Sequence, residues 1–158
     1  FDLARERKMH SKSQTAWTPA ISLILGLQES LRMLQEEGLE NIFKRHDQLA
    51  RATRAAVLAL GLELLSPKHS SRAVTAVRVP AGIVDGKKIP KHMRDHYGVT
   101  ITGGQDELEG RVFRLSHIGY CGKFDVLTGI DALEFTLNHL GYAVPYGTGV
   151  GAAMKELQ

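Results

Sequence analysis

The residues best suited to chemistry lie in the run Gly110-Arg111-Val112-Phe113-Arg114-Leu115-Ser116-His117-Ile118-Gly119-Tyr120. It reads as a strand with one arginine among apolar neighbours. Alternation puts Val112, Arg114 and Ser116 on one face and Phe113, Leu115 and His117 on the other. A guanidinium stays protonated and is expensive to bury unpaired, so Arg114 calls for an anion. Its planar fork matches a carboxylate. Two readings stand: an internal ion pair or strand-edge charge, the commoner use of such a residue, and a clamp for the carboxylate of a substrate.

A second candidate is Thr18-Pro19. Threonine is a good N-cap and proline suits the first helical position, so the pair predicts a helix start. Such a terminus offers unsatisfied N–H groups and partial positive charge that suit a phosphate, and the Thr18 hydroxyl can donate to it. Taken alone, a Thr-Pro start is more often only a cap. The remaining chemistry is thinner. Of seven histidines, His92 and His96 sit four apart on a predicted helix, which could align two metal ligands. No acidic or cysteine partner lies at metal-site spacing, so solvent-facing histidines are the plainer reading and no metal is expected. His46 falls on an inner helical stripe, and His117 either approaches a ligand or packs. Cys121 reads as an inert, partly buried thiol. Asp106-Glu107-Leu108-Glu109 reads as a solvated loop. No catalytic residue is assigned.

The elements that must position these groups follow from punctuation and period. Residues 1–17 carry dense charge from Arg5 to Lys12 and no apolar periodicity, so they read as a lead-in arm. A helix from Thr18 carries a stripe of Ile24, Leu27, Leu31 and Leu34, widened by Ile21 and Leu25, and ends at Gly38. A second runs from about Leu39 to Leu60, with Leu39, Ile42, Leu49 and Ala56 inward and Lys44, Arg45, Arg51 and Arg54 toward water. Leu62–Leu65 and Ala73–Pro80 read as strands. Asp85 opens a helix that ends at Gly98, with Pro90 tolerable only near its first turn. Val99–Thr102 is a strand, Gly103–Gly110 a loop, and then comes the arginine strand. Phe124, Leu127, Ile130, Leu133, Leu137 and Leu140 mark a last helix closed by Gly141. The expected fold class is α+β: a short, mostly antiparallel sheet with helices packed on one face. Residues 18–141 form the domain, and 142–158 form a glycine-containing tail with a short helical end. Tyr146-Gly147-Thr148-Gly149-Val150-Gly151 mimics a nucleotide loop, but no buried strand precedes it, and a flexible connector is preferred.

The 158 residues suffice for one domain with a real core, and 43% hydrophobic with 23% charged residues is ordinary for a soluble globule. A net charge of +3 with basic residues scattered among acidic ones argues against nucleic acid. The single cysteine permits no internal disulfide and fits a reducing, cytoplasmic compartment. No apolar run approaches the ~18 residues of a membrane span.

Four separated blocks, in order, carry a resemblance. They are Thr18-Pro19-Ala20-Ile21-Ser22; Glu36-Glu37-Gly38-Leu39-Glu40-Asn41 with Arg45-His46; Gly103-Gly104; and Phe113-Arg114-Leu115-Ser116-His117-Ile118-Gly119-Tyr120. Together they resemble the C-terminal part of a class V aminotransferase, in the subgroup of alanine–glyoxylate and serine–glyoxylate (serine–pyruvate) aminotransferases. Some members of that subgroup bear the label of a soluble hydrogenase small subunit. The resemblance implies the small-domain fold of those enzymes and a pyridoxal 5'-phosphate cofactor. It implies that Arg114 binds the α-carboxylate of a small amino acid such as alanine or serine, with glyoxylate or pyruvate as acceptor. It implies that Thr18 reaches the cofactor phosphate of the neighbouring subunit in a homodimer, and that Gly103-Gly104 borders the mouth of the site. Where some relatives have a tyrosine against the same phosphate, this chain has Thr15.

Family members also hold the cofactor on a lysine within a Ser-x-Lys segment of a large domain. No such segment precedes Thr18 here, Ser11-Lys12-Ser13 having neither the spacing nor the setting. The chain, which begins at Phe1 rather than Met, is therefore expected to be the small domain and its lead-in, inactive alone. The competing expectation is a stand-alone interaction module or a subunit of a hydrogenase-type assembly.

Overall fold

Arg114 sits at the middle of β3 (Val112–Ser116), the central strand of a three-stranded antiparallel sheet ordered β1-β3-β2. On one side β1 (Val74–Arg78) pairs Ala76 with Arg114; on the other β2 (Thr102–Gly103) pairs Thr102 with it. The structure, a computed structural model, describes residues 2–158. Among them the helices are α1 (Leu3–His10), α2 (Ile21–Glu37), α3 (Leu39–Ala59), α4 (Lys88–Tyr97), α5 (Lys123–His139) and α6 (Thr148–Glu156), with a 3-10 turn at Asp106–Leu108. The fold is α+β as the pattern predicts. The chain divides into two compact units, one ending at Ile42 and the other Phe43–Gln158.

In the first unit, α1 forms where no apolar period marks it. The Asp2 carboxylate caps it by accepting the Arg5 N–H at 3.0 Å. Glu6 in its first turn and Arg7, Lys8 and His10 in its last complement the helix dipole. This helix is made by charge placement rather than burial, so a search for apolar stripes misses it. α2 begins three residues later than the Thr18 reading. Its N-cap is Ala20, and the Pro19 carbonyl accepts the Ile21 N–H at 2.9 Å. That local turn satisfies an amide that a side-chain cap would otherwise serve, so Thr18 caps nothing. The stripe of α2 is present but uncovered. Ile21, Leu23, Ile24, Leu25, Leu27, Leu31 and Leu34 are each between 40% and 73% exposed.

In the second unit, Thr75, Val77, Phe113 and Leu115 form the inner face of the sheet. Over them pack Ala52, Ala56 and Val57 of α3, Ile89 and Met93 of α4, and Ile130, Leu133 and Leu137 of α5. Several sequence expectations change here. Leu39 is 62% exposed and Phe124 72%, both lying in the first turns of their helices, whereas Ile42, Leu49 and Ala56 are buried as read. Leu62–Leu65 makes only one bridge, Leu64 to Val77, rather than a strand. The Val99–Thr102 strand shrinks to Thr102–Gly103, the only part that reaches β3. Asp85 accepts the Lys87 N–H at 3.0 Å, forming the turn before α4 rather than its cap. Pro90 is the third residue of α4, where the missing N–H has no intrahelical acceptor to lose.

The tail carries the helical end expected of it, α6, but the glycine-rich stretch before it is no loose connector, since the first turn of α6 is anchored on the fully buried carboxylate of Glu134 from α5. That carboxylate accepts the Gly147 N–H, the Gly149 N–H at 2.7 Å and the Val150 N–H at 3.1 Å. The glycine-rich loop does cradle an anion at a helix N-terminus, and the anion is the chain's own side chain. A Cβ on Gly149 would lie 3.0 Å from Glu134 Oε1 and from Leu60, so a larger residue there would push the carboxylate or Leu60 aside. Glu134→Ala strips the acceptor from three amides and is expected to destabilise this unit by on the order of 3 kcal/mol, with Glu134→Gln costing less. Urea unfolding measures the loss, and faster hydrogen exchange at Gly149 and Val150 should accompany it. An unchanged midpoint for Glu134→Ala would show that solvent replaces the carboxylate at no cost.

Candidate functional site

The second unit brings a cavity of 260 Å³ to Arg114. Its lining includes the polar Thr102, Ser116 and Cys121, the acidic Asp125, which accepts the Gly122 N–H, and the apolar Val126 and Ile130. Arg114 is half-buried, and its Nε donates to the Gly103 carbonyl at 3.0 Å. Its terminal nitrogens make no hydrogen bond and no ion pair among the described residues, so the internal ion pair entertained from the sequence does not form. A guanidinium held by one neutral carbonyl through Nε keeps its Nη1/Nη2 edge for an incoming anion. Gly104 explains the shape of the supporting loop: a Cβ there would lie 2.0 Å from the Leu108 carbonyl oxygen. The Gly104 N–H meets the Val112 carbonyl at 2.7 Å, which fixes the loop beside β3.

The loop after β3 is held from α3. Arg45 donates from Nη1 to the carbonyls of Gly119 at 3.0 Å and Cys121 at 2.8 Å, and His46 Nε2 accepts the Gly119 N–H at 3.2 Å. The sequence reading sent Arg45 to water, because a lone arginine on a helix face gives no sign of a carbonyl partner 74 or 76 residues away. His46 is half-buried, as its place on the stripe suggested. Cys121 makes only a 3.8 Å contact to the Gly122 carbonyl, and burial pushes its thiol up, away from thiolate chemistry.

His117 packs rather than lining the Arg114 cavity. It is 1% exposed, and its Nε2 lies 3.0 Å from the Thr75 hydroxyl, while Nδ1 has no hydrogen bond of normal geometry. Burial is the main cause that lowers it to about 4, with the fields of Arg54 and His46 acting in the same sense and the Arg72 backbone opposing. His92 is not solvent-facing. It is buried, with Nδ1 3.1 Å from the Thr136 hydroxyl, and its ring stacks on His96 at 4.2 Å and on His139 at 4.1 Å. Burial first, then His139 and His96, lower it as well. Among the described residues, no group of three or more His, Cys, Asp or Glu side chains could hold a metal ion. Glu109 in the acidic loop pairs with Lys87 at 2.8 Å on the surface.

Thr18 lies in the first unit, exposed, on the rim of an open hollow of 670 Å³ shared with Arg5, Ser13, Gln14, Thr15 and Trp17. The Arg5 guanidinium stands 3.8 Å over the centre of the Trp17 ring. Among the described residues no helix is long and apolar enough to cross a membrane.

This fold recurs in known proteins. The aminotransferase class-V profile matches residues 4–116. The chain is 42% identical over 159 residues to the soluble hydrogenase small subunit of a Synechococcus strain, spanning 99% of this chain and 41% of that one. It is 39% identical to the serine–glyoxylate aminotransferase of Methylorubrum extorquens, spanning 100% and 40%. The crystal structure of pyridoxamine–pyruvate aminotransferase from Mesorhizobium loti superposes with a TM-score of 0.83 at 34% identity, covering 89% of this chain and 36% of that one. The chain belongs to the class V aminotransferase family. It spans about two fifths of the length of the curated relatives it matches.

The two buried imidazoles set an acid limit. Each is held neutral in the fold, whereas an unfolded histidine protonates near pH 6.5. Below that pH the unfolded chain binds more protons, so stability present at neutral pH falls as pH drops from 6.5 toward about 4. His117 alone accounts for roughly 3 kcal/mol over that window. Urea midpoints of the wild type at pH 7.5, 6 and 5 should fall steadily, and His117→Gln should flatten the slope. A slope unchanged by that substitution would remove His117 from the account.

Proposed function

We propose that this chain is the C-terminal part of a pyridoxal-phosphate-dependent transaminase. The whole protein would move an amino group from a small amino acid such as alanine or serine to glyoxylate or pyruvate. The reading takes residues 18–141 as the small domain, 1–17 as the lead-in and 142–158 as the tail, within a cytoplasmic homodimer. The observation that carries it is Arg114, a half-buried guanidinium on a central strand with no acidic partner in the described residues and a small cavity beside it.

The residues present fit their share of such a site. Arg114 binds the substrate carboxylate through its free fork while Gly103 fixes its Nε, so the bound amino acid is oriented rather than merely attracted. Arg45 and His46 hold the loop that carries Cys121 into the cavity wall. Thr18 offers a hydroxyl to the cofactor phosphate. The bound cofactor itself supplies the electron sink for amino transfer. The lysine that would carry it has no counterpart among these residues, so the chain alone is expected not to transaminate. A second reading, an interaction module or a subunit of a hydrogenase-type assembly, draws on the uncovered stripe of α2. The reading frame upstream of Phe1 separates the two: a Ser-x-Lys segment in a large-domain sheet belongs to the transaminase alone.

In the full-length protein, Arg114→Ala is expected to weaken amino-acid binding by about 2–5 kcal/mol, the scale of losing one partner of a desolvated charge pair. Arg114→Lys should restore part of it, since an ammonium lacks the bidentate fork. The absorbance of bound cofactor should stay as it is. Substrate titrations measure both effects, and an unchanged amino-acid affinity in Arg114→Ala would end the clamp assignment.

A further inference from the structure

The hollow of the first unit holds a cation that the family pattern does not single out. Arg5 projects from α1 over the face of Trp17, yet its guanidinium has no acidic partner among the described residues. Its backbone N–H donates to the Asp2 carboxylate that caps α1. The chain then turns back. Ser13 adopts φ 54°, with its N–H on the His10 carbonyl at 2.9 Å, and the Gln14 N–H meets the Met9 carbonyl at 3.0 Å. That reversal sets Ser13, Thr15 and Thr18 around the same hollow as Arg5. Stacking on an indole holds a guanidinium in a fixed plane without neutralising it, which leaves its edge N–H groups for an anion. Three hydroxyls and one planar cation, with no carboxylate on the rim, form a donor set for a phosphate dianion.

We propose that Arg5, positioned by Trp17, is the cationic member of a phosphate-binding hollow completed by Ser13, Thr15 and Thr18. The inference rests on the reading of Thr18 as a contact of the cofactor phosphate and adds the residue that supplies the charge. A hydroxyl set alone carries no charge to balance a dianion, and Arg5 supplies it.

Trp17 is the only tryptophan in the chain, so its fluorescence reports on this hollow directly. The 158-residue chain is titrated at constant ionic strength with methyl phosphate, inorganic phosphate and acetate. Methyl phosphate and inorganic phosphate should each give a saturable change in Trp17 emission, with acetate at least tenfold weaker. Arg5→Gln should raise the methyl phosphate dissociation constant roughly tenfold or more, the scale of a charge-assisted hydrogen bond. Arg5→Lys should fall between, and the melting temperature should not follow the same order. A wild type without a saturable response, acetate binding as well as phosphate, or Arg5→Gln binding as well as wild type each overturns the proposal. If Thr18→Val weakens binding and Arg5→Gln does not, the Thr18 contact stands and the role of Arg5 falls. If Arg5→Gln weakens phosphate binding while Arg114→Ala leaves amino-acid affinity intact in the full-length protein, the hollow stands and the transaminase reading loses its clamp.

Discussion

An arginine on the central strand of a three-stranded sheet must be held without being neutralised, and much of the second unit is arranged around that requirement. β3 carries ladder hydrogen bonds on both sides, so Arg114 cannot drift with an edge strand. The Gly103 carbonyl takes one of its five donors and contributes no formal charge. Arg45 also bonds main-chain carbonyls, those of Gly119 and Cys121, and so ties the loop after β3 to α3.

Carboxylates are used in the complementary way. Asp2, Asp85, Asp125 and Glu134 each accept backbone amides at a turn or helix start. Among the exposed ion pairs, Arg32 with Glu29 and Lys91 with Asp95 join neighbours along helices, while Arg51 with Glu156 and Lys87 with Glu109 join distant segments, and exposed pairs of this kind add little each.

Much of this arrangement was legible in the residues because it depends on local rules. The period of α2, α3 and α5, the stop at Gly38, the antiparallel sheet and the exposed setting of the acidic loop follow from spacing and turn chemistry. Arg114 stood out because a charge in an apolar alternation is conspicuous. What was hidden depends on partners far away in the chain. Nothing in its local sequence marks Glu134, whose burial is explained only by the amides of Gly147, Gly149 and Val150 that arrive from further along the chain. His92 looked solvent-facing until His139 from α5 stacked against it. Thr18 was misread as a cap because the Pro19 carbonyl performs that task through the backbone, which side-chain preferences do not register. The absence of a carboxylate at Arg114 could not be read from spacing at all, since any of the 17 acidic residues might have folded against it.

The Glu134 anchor also ties the packing of α5 to a segment that contributes no strand to the sheet. The amides that hold the carboxylate begin 13 residues further along, at Gly147. Without Gly147, Gly149 and Val150 the fully buried Glu134 side chain would lose these three donors, and burying a polar group unpaired is costly. The glycine-rich stretch is thus a latch: cutting the chain between α5 and α6 would loosen the core from a point outside the sheet.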